Sequence, residues 1–148
     1  MARPKVHLIV STGLAIFQFA RTGRLAPAVA PLLTGFLIDS DHFAEVVRFK
    51  LLAKRPQGRT ILPLHGWEFL LFWFLVDRLF ARRLAGGLLL GYAAHLVIDQ
   101  VTNTTTHPLT YFISFRAWRG FPSSLFNNRN ESEVGWLNDS VFNLWKYF

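Results

Sequence analysis

The stretch that decides the fold is Gly91-Tyr92-Ala93-Ala94-His95-Leu96-Val97-Ile98-Asp99. It lies inside an apolar segment, residues 84–101, which is too long for an ordinary strand of about 5–6 residues and shows no alternation. The segment reads as a helix that is apolar around most of its circumference, and such a helix is buried in protein or in lipid. Yet it carries a histidine and an aspartate four residues apart, so both sit on one helix face. An ionisable pair in that setting is costly unless something satisfies it. The rest of the chain can therefore be searched for groups that meet this pair.

Three further segments share this character: residues 6–20, 25–38 and 61–80. Pro27 and Pro31 in the second are poor inside a soluble helix but tolerated in membrane ones. The pattern predicts an all-α fold, a polytopic membrane bundle of about four helices. The first two are short against the roughly 20 apolar residues of a full span. Composition points the same way: 51% of the 148 residues are hydrophobic and only 17% charged, with 15 Phe and 5 Trp, which excludes a disordered chain. The absence of cysteine excludes a disulfide scaffold, an iron–sulfur cluster, a thiolate zinc site and a cysteine nucleophile. Residues 1–105 are expected to form the helical domain that carries the site. Residues 106–148, polar with scattered aromatics, are expected to be an irregular amphipathic extension at the membrane interface.

The net charge of +7 comes from 16 Lys and Arg against 9 Asp and Glu. The positives fall in short clusters between apolar runs, not along one basic helix. That argues against a nucleic-acid partner and for the loops of a membrane protein. The distribution of loop charges places both termini inside. The expectation is thus an integral inner-membrane protein, N-in and C-in, with the lipid bilayer as its partner.

The ionisable groups inside the apolar segments share one level. His7 opens the first segment; Asp39, Asp41 and His42 close the second. His65 and Glu68 start the third, and His95 and Asp99 end the fourth. In an up-down-up-down bundle all of these face the same side, the cytoplasmic one by the charge distribution. Any one alone is explained by core packing, a helix cap or an ion pair. Asp77, at the other end of the third segment, is expected to pair with Arg78, Arg82 or Arg83. Taken together, His7, Asp39, Asp41, His42, His65, Glu68, His95 and Asp99 point to a divalent cation, which neutralises carboxylates and accepts neutral imidazoles. Zinc suits such donors, as do manganese and ferrous iron. More than four good ligands points to two ions, bridged by Asp39, Asp41 or Asp99. Asp41 and Glu68 are the expected catalytic residues, Glu68 as general base. Arg48, Arg59, Arg116 and Arg119 would hold an anionic substrate group.

The elements Asp39-Ser40-Asp41-His42, His65-Gly66-Trp67-Glu68 and Gly91 to Asp99, with His7 near the start, resemble the motifs of the small membrane-bound metal-dependent hydrolases (YdjM-like). That family is grouped with the zinc-dependent phospholipase C and P1 nuclease superfamily. The resemblance covers roughly residues 7–105. The D-x-D-H and G-Y-x-x-H-x-x-x-D elements match. The middle element lacks the family's Thr-His-Ser, and Glu68 stands where a replacement ligand or base is needed. The resemblance implies metal binding and, more distantly, hydrolysis of a phosphoester or a lipid-like phosphorylated amphiphile. The alternatives are a metal-ion carrier and a membrane protein whose metal only fixes its fold.

Overall fold

The computed structural model describes residues 4–42, 61–103 and 105–126. Within them the chain is helical. Helix α1 spans Pro4–Thr22 and α2 spans Leu25–Phe36. A 3-10 turn, Leu37–Asp39, follows, and residues 40–42 are again helical. After an irregular loop come α3 (Phe69–Leu79), the single turn α4 (Ala81–Leu84) and α5 (Gly87–Thr102). Two 3-10 turns, Pro108–Tyr111 and Ser123–Phe126, flank the short helix α6 (Ile113–Trp118).

Helix α2 is the hub, packing against both α1 and α5, and α5 also meets α1 and α3. Close approach is the reason. Gly87 and Gly91 present the same face of α5 to α2. A Cβ on Gly91 would stand 2.6 Å from the Pro31 carbonyl oxygen and 2.5 Å from Thr34 Oγ1, and one on Gly87 would stand 2.8 Å from the Pro27 carbonyl oxygen. Only glycine allows the backbones so near. The contact is sealed by Thr34 Oγ1, which donates to the Leu88 carbonyl at 2.7 Å. Helix α1 also packs on α2, with Ser11 against Gly35. Gly23, at φ +63°, ends α1 with a left-handed cap, and its N–H reaches the Phe19 carbonyl at 2.7 Å.

The faces are unusual in polarity. Helix α1 turns His7, Ser11 and Gln18 inward and leaves Ile9, Ile16 and Phe17 outward. A small apolar core lies beside the polar seam: Ile38, Tyr92, Leu96 and Tyr111, flanked by Trp67, Trp73 and Phe126 among others. Tyr111 and Phe126 belong to the C-terminal stretch, so residues up to 126 pack on the helical domain.

The membrane-spanning bundle is not what the chain forms. Among the described residues no helix is both long and apolar enough to cross a membrane. The reasons are local. Helix α1 has the length, but its buried stripe is polar. The 25–38 segment stops as an α-helix at Phe36. The 61–80 segment is helical as α3 only from Phe69, because residues 61–68 are held as a loop by bonds described below. The integral inner-membrane location and the N-in, C-in orientation fall with the spans. The expected bilayer partner loses the basis it rested on.

The far end of the bundle holds a second difference. Asp77 is buried, and its Oδ2 accepts from the Leu89 N–H at 2.7 Å, capping the start of α5. A backbone cap is what the described residues show for Asp77; of the arginines expected to pair with it, the Arg82 side chain lies outside them. Nearby, Gln18 and Arg21 both donate to the Ala85 carbonyl and tie α1 to the same turn.

Candidate metal centre

The packing that brings α5 onto α2 sets the site. Gly87, Gly91, His95 and Asp99 follow one another at intervals of four, and all four are buried. Two glycines let α2 come close; one turn further, His95 and Asp99 point into the space at its end. There α2 ends, and the 3-10 turn carries Asp39 inward with Asp41 two residues on. On an ideal helix that spacing would splay the two carboxylates. With the α-helix over at Phe36, both reach His65, Asp39 Oδ1 at 3.5 Å from Nε2 and Asp41 Oδ2 at 2.9 Å from Nδ1.

His65 and His95 are each presented with Nδ1 engaged and Nε2 turned to the centre. His65 Nδ1 is bonded to Asp41 Oδ2, which also accepts the Leu64 N–H at 3.0 Å. His95 Nδ1 is bonded to the Gly35 carbonyl at 3.0 Å, and a carbonyl can only accept, so this nitrogen carries the proton. The Nε2 atoms of His65 and His95 then meet at 3.1 Å. Around them stand Asp39 Oδ1, at 3.5 and 3.6 Å, and Asp99 Oδ2, at 3.3 and 3.5 Å. Tetrahedral zinc with bonds of about 2.0 Å requires ligand atoms about 3.3 Å apart. The five separations of 3.1 to 3.6 Å put each carboxylate oxygen at about that distance from both imidazole nitrogens. His7 adds a fifth donor, with Nε2 3.3 Å from Asp99 Oδ1 and its ring stacked on His95.

Among the described residues three groups of ligand atoms could hold a metal ion: His7, His95 and Asp99; Asp39, His65 and His95; and Asp41, His42 and His65. The third differs from the others, because Asp41 Oδ2 and His65 Nδ1 already satisfy each other. Its role is that of a carboxylate behind a ligating histidine, which fixes the ring and its tautomer.

The electrostatics show what the cluster attracts. Burial alone would raise the Asp99 carboxyl, but hydrogen bonds from His65, His7 and His95 hold it far below the usual carboxylate range. Burial pushes Asp39 upward too, and the His65 bond with the charges of His95, His7 and His42 brings it below its ordinary value. Burial would depress His65, yet Asp39, Asp41 and Asp99 raise it well above an ordinary imidazole. A buried group of imidazoles and carboxylates thus pulls a positive charge into its centre. The donors fit a divalent cation.

The remaining expected site residues divide. His42 stands at the rim, Nε2 3.8 Å from Asp39 Oδ1; burial and neighbouring His65 bring its pKa down to about 4. Glu68 is not among the three ligand groups. Its carboxylate accepts from the N–H groups of Ile113 and Ser114 and from the Ser114 hydroxyl, at 2.7 to 2.9 Å, capping the start of α6. The i,i+3 reading that paired it with His65 assumed a helix where there is a turn. Arg119 is exposed at the end of α6. Arg116 is fully buried, so it is not placed to hold a substrate. Arg48 and Arg59 lie outside the described residues.

Two residues hold the loop bearing His65: Tyr92, which was not among the expected site residues, and Arg116, which was expected to bind substrate instead. The Tyr92 hydroxyl lies 2.9 and 2.6 Å from the carbonyl oxygens of Leu64 and Gly66 and accepts the Gly66 N–H. A signal for Tyr92 existed, since it sits three residues before His95 on the same helix. For Arg116 there was none.

Comparison of the chain with protein-family models, with curated proteins and with solved structures finds no match. The resemblance drawn above therefore stands on the quoted residues alone.

Proposed function

We propose that the chain is a metal-dependent hydrolase, with zinc as the best-fitting ion, acting on a phosphoester. The observation that carries this reading is the meeting of His65 Nε2 and His95 Nε2 at 3.1 Å, with Asp39 Oδ1 and Asp99 Oδ2 each within 3.6 Å of both. The donors are imidazole and carboxylate, without thiolate, a set typical of catalytic zinc. A divalent ion held there supplies Lewis acidity toward an ester oxygen and makes water acidic near neutral pH. Asp99 offers Oδ2 to His65 and His95 and Oδ1 to His7, so it is the carboxylate placed to bridge two ions.

The protein's own groups divide the remaining work. Asp41 and the Gly35 carbonyl hold the two histidines in the tautomers that leave Nε2 unprotonated. The Asp39 side chain, at 26% exposure, is the donor that faces outward, and it marks the open side. His42 beside it is neutral at physiological pH and can take a proton at Nε2. The net charge of +7 favours an anionic substrate.

A second reading, a purely structural ion, is favoured by one observation: the cluster supplies at least four protein donors, as many as a structural zinc site takes. Elemental analysis of purified protein, followed by a panel of phosphomonoesters and phosphodiesters with chelation and metal add-back, separates the two. Metal-dependent turnover lost in Asp39→Ala supports the hydrolase. Tightly held metal with no turnover on any phosphoester supports the structural ion. Protein that holds no transition metal overturns both.

A further inference from the structure

The loop carrying His65 has almost no backbone ladder of its own. Its His65 N–H reaches the Leu62 carbonyl at 3.2 Å and its Trp67 N–H the Tyr111 carbonyl at 2.9 Å, while several other polar groups turn to side chains from elsewhere. Asp41 takes the Leu64 N–H, and Tyr92 takes Leu64 and Gly66. The carbonyls of Leu62 and His65 both accept from one atom: Arg116 Nη2, at 3.0 and 2.6 Å.

We propose that Arg116 is the positioning residue of the centre: from α6 its guanidinium clamps the carbonyls of Leu62 and His65 and so aims the His65 ring. The inference rests on the metal reading above. Three observations carry it. Arg116 is 0% exposed, so neither solvent nor a substrate is its partner. Among the described residues its Nε and Nη1 have no hydrogen-bond partner, although both are buried. Burying a cation with unused donors costs stability. Such a group is kept for what its satisfied atom does, and that atom holds the backbone of a ligand. Finally, Arg116 comes from a part of the chain 51 residues from His65, so the clamp makes the C-terminal stretch part of the site. Its planar fork can hold two carbonyls in a fixed relation, which an ammonium on a flexible stem cannot.

The test uses cobalt(II) as a spectroscopic stand-in for zinc on full-length wild type, Arg116→Met, Arg116→Lys and, as control, Asp77→Ala. The control uncaps α5 at the opposite end and should destabilise the apoprotein without touching the loop. The expected result is that R116M weakens cobalt and zinc binding at least tenfold and alters the visible cobalt bands. R116K should recover part of the affinity, and D77A should lower the apo Tm with affinity and bands as in wild type. The positioning role is overturned if R116M keeps wild-type affinity and bands, or if D77A weakens binding as much as R116M does. Should R116M fail to fold, R116K decides alone: wild-type affinity and bands overturn the role, and an intermediate loss supports it. A wild-type protein that binds neither cobalt nor zinc overturns the metal reading itself, and the clamp with it.

Discussion

His65 Nε2 and His95 Nε2 lie 3.1 Å apart, each on a ring whose Nδ1 is already bonded, to Asp41 and to the Gly35 carbonyl. Two neutral imidazoles so placed would direct lone pairs at each other. Either one of them holds a proton or a cation sits between them, and the two adjacent carboxylates favour the cation. At free zinc about 100-fold above Kd, binding adds about 2.7 kcal/mol to stability. For a domain of this size that corresponds to a rise of about 8 °C in Tm, taking roughly 3 °C per kcal/mol. Calorimetry with and without zinc measures it. His95→Ala should abolish the rise; a full rise in that variant would remove His95 from the centre.

The two glycines of α5 should matter as much as the ligands. A Cβ on Gly91 would meet the Pro31 carbonyl at 2.6 Å and Thr34 Oγ1 at 2.5 Å, both on a packed helix. Gly91→Ala must therefore push α5 off α2, costing about 1–3 kcal/mol as overpacking does. The shift is carried one turn along to His95, so zinc affinity should fall as well. Gly13, in α1, has nothing within 4 Å of its would-be Cβ. Gly13→Ala should instead stabilise by about 0.5–1 kcal/mol, the helix-interior cost of glycine. Urea unfolding of both variants checks the opposite signs.

These particulars show which parts were legible in the sequence. His95 and Asp99 stood out because charge inside an apolar helix is costly, and their spacing of four put them on one face. Asp39 and Asp41 could be read as converging only where a helix ends, and α2 ends just before them. The membrane spans misled because apolar content alone does not say which way a residue faces. Here α1 turns its polar stripe inward, and 61–68 is a loop tied by Tyr92 and Arg116 from distant positions. Non-local bonds of that kind leave no mark on local periodicity, and Glu68 was misplaced for the same reason.

His42 should separate chemistry from binding. It lies at the rim, near Asp39 and edge-on to His65, and is neutral at physiological pH. His42→Ala should leave zinc bound at close to wild-type affinity while lowering phosphoester turnover about 100-fold, the lower end for loss of a proton-transfer group. Steady-state kinetics on the zinc-loaded variant reads the effect. Loss of metal together with activity would make His42 a ligand.

Glu68 gives a clean acid-side signature. Burial pushes its carboxyl up, but the bonds from Ser114 and Ile113 outweigh this and hold it below its ordinary 4.5. A depressed folded pKa contributes stability that is present above 4.5 and is lost as pH falls through the folded value. The side chain is exposed, so the effect is modest. Glu68→Gln should lower Tm near neutrality and converge on wild type as the pH drops below 4.5, the ordinary value of this carboxyl. Parallel curves for the two proteins down to strong acid would mean that the α6 cap carries no charge-dependent stability.

The metal-free centre should show the opposite dependence at higher pH. Although burial lowers the His65 pKa, the bonds from Asp39, Asp41 and Asp99 raise it well above the ordinary 6.5. A raised folded pKa contributes stability that is fully present below 6.5 and lost as pH rises through the folded value. The apoprotein should therefore lose Tm steadily above neutrality. Asp99→Asn, which removes one of the supporting charges, should flatten that slope. Zinc replaces the same proton, so binding at pH 7 should release about one proton. Titration calorimetry in two buffers of different ionisation heat counts it. Proton-free binding, together with an apo Tm that stays level above pH 7, would mean that His65 is neutral before the metal arrives and that the three carboxylates do not act on it as the geometry requires.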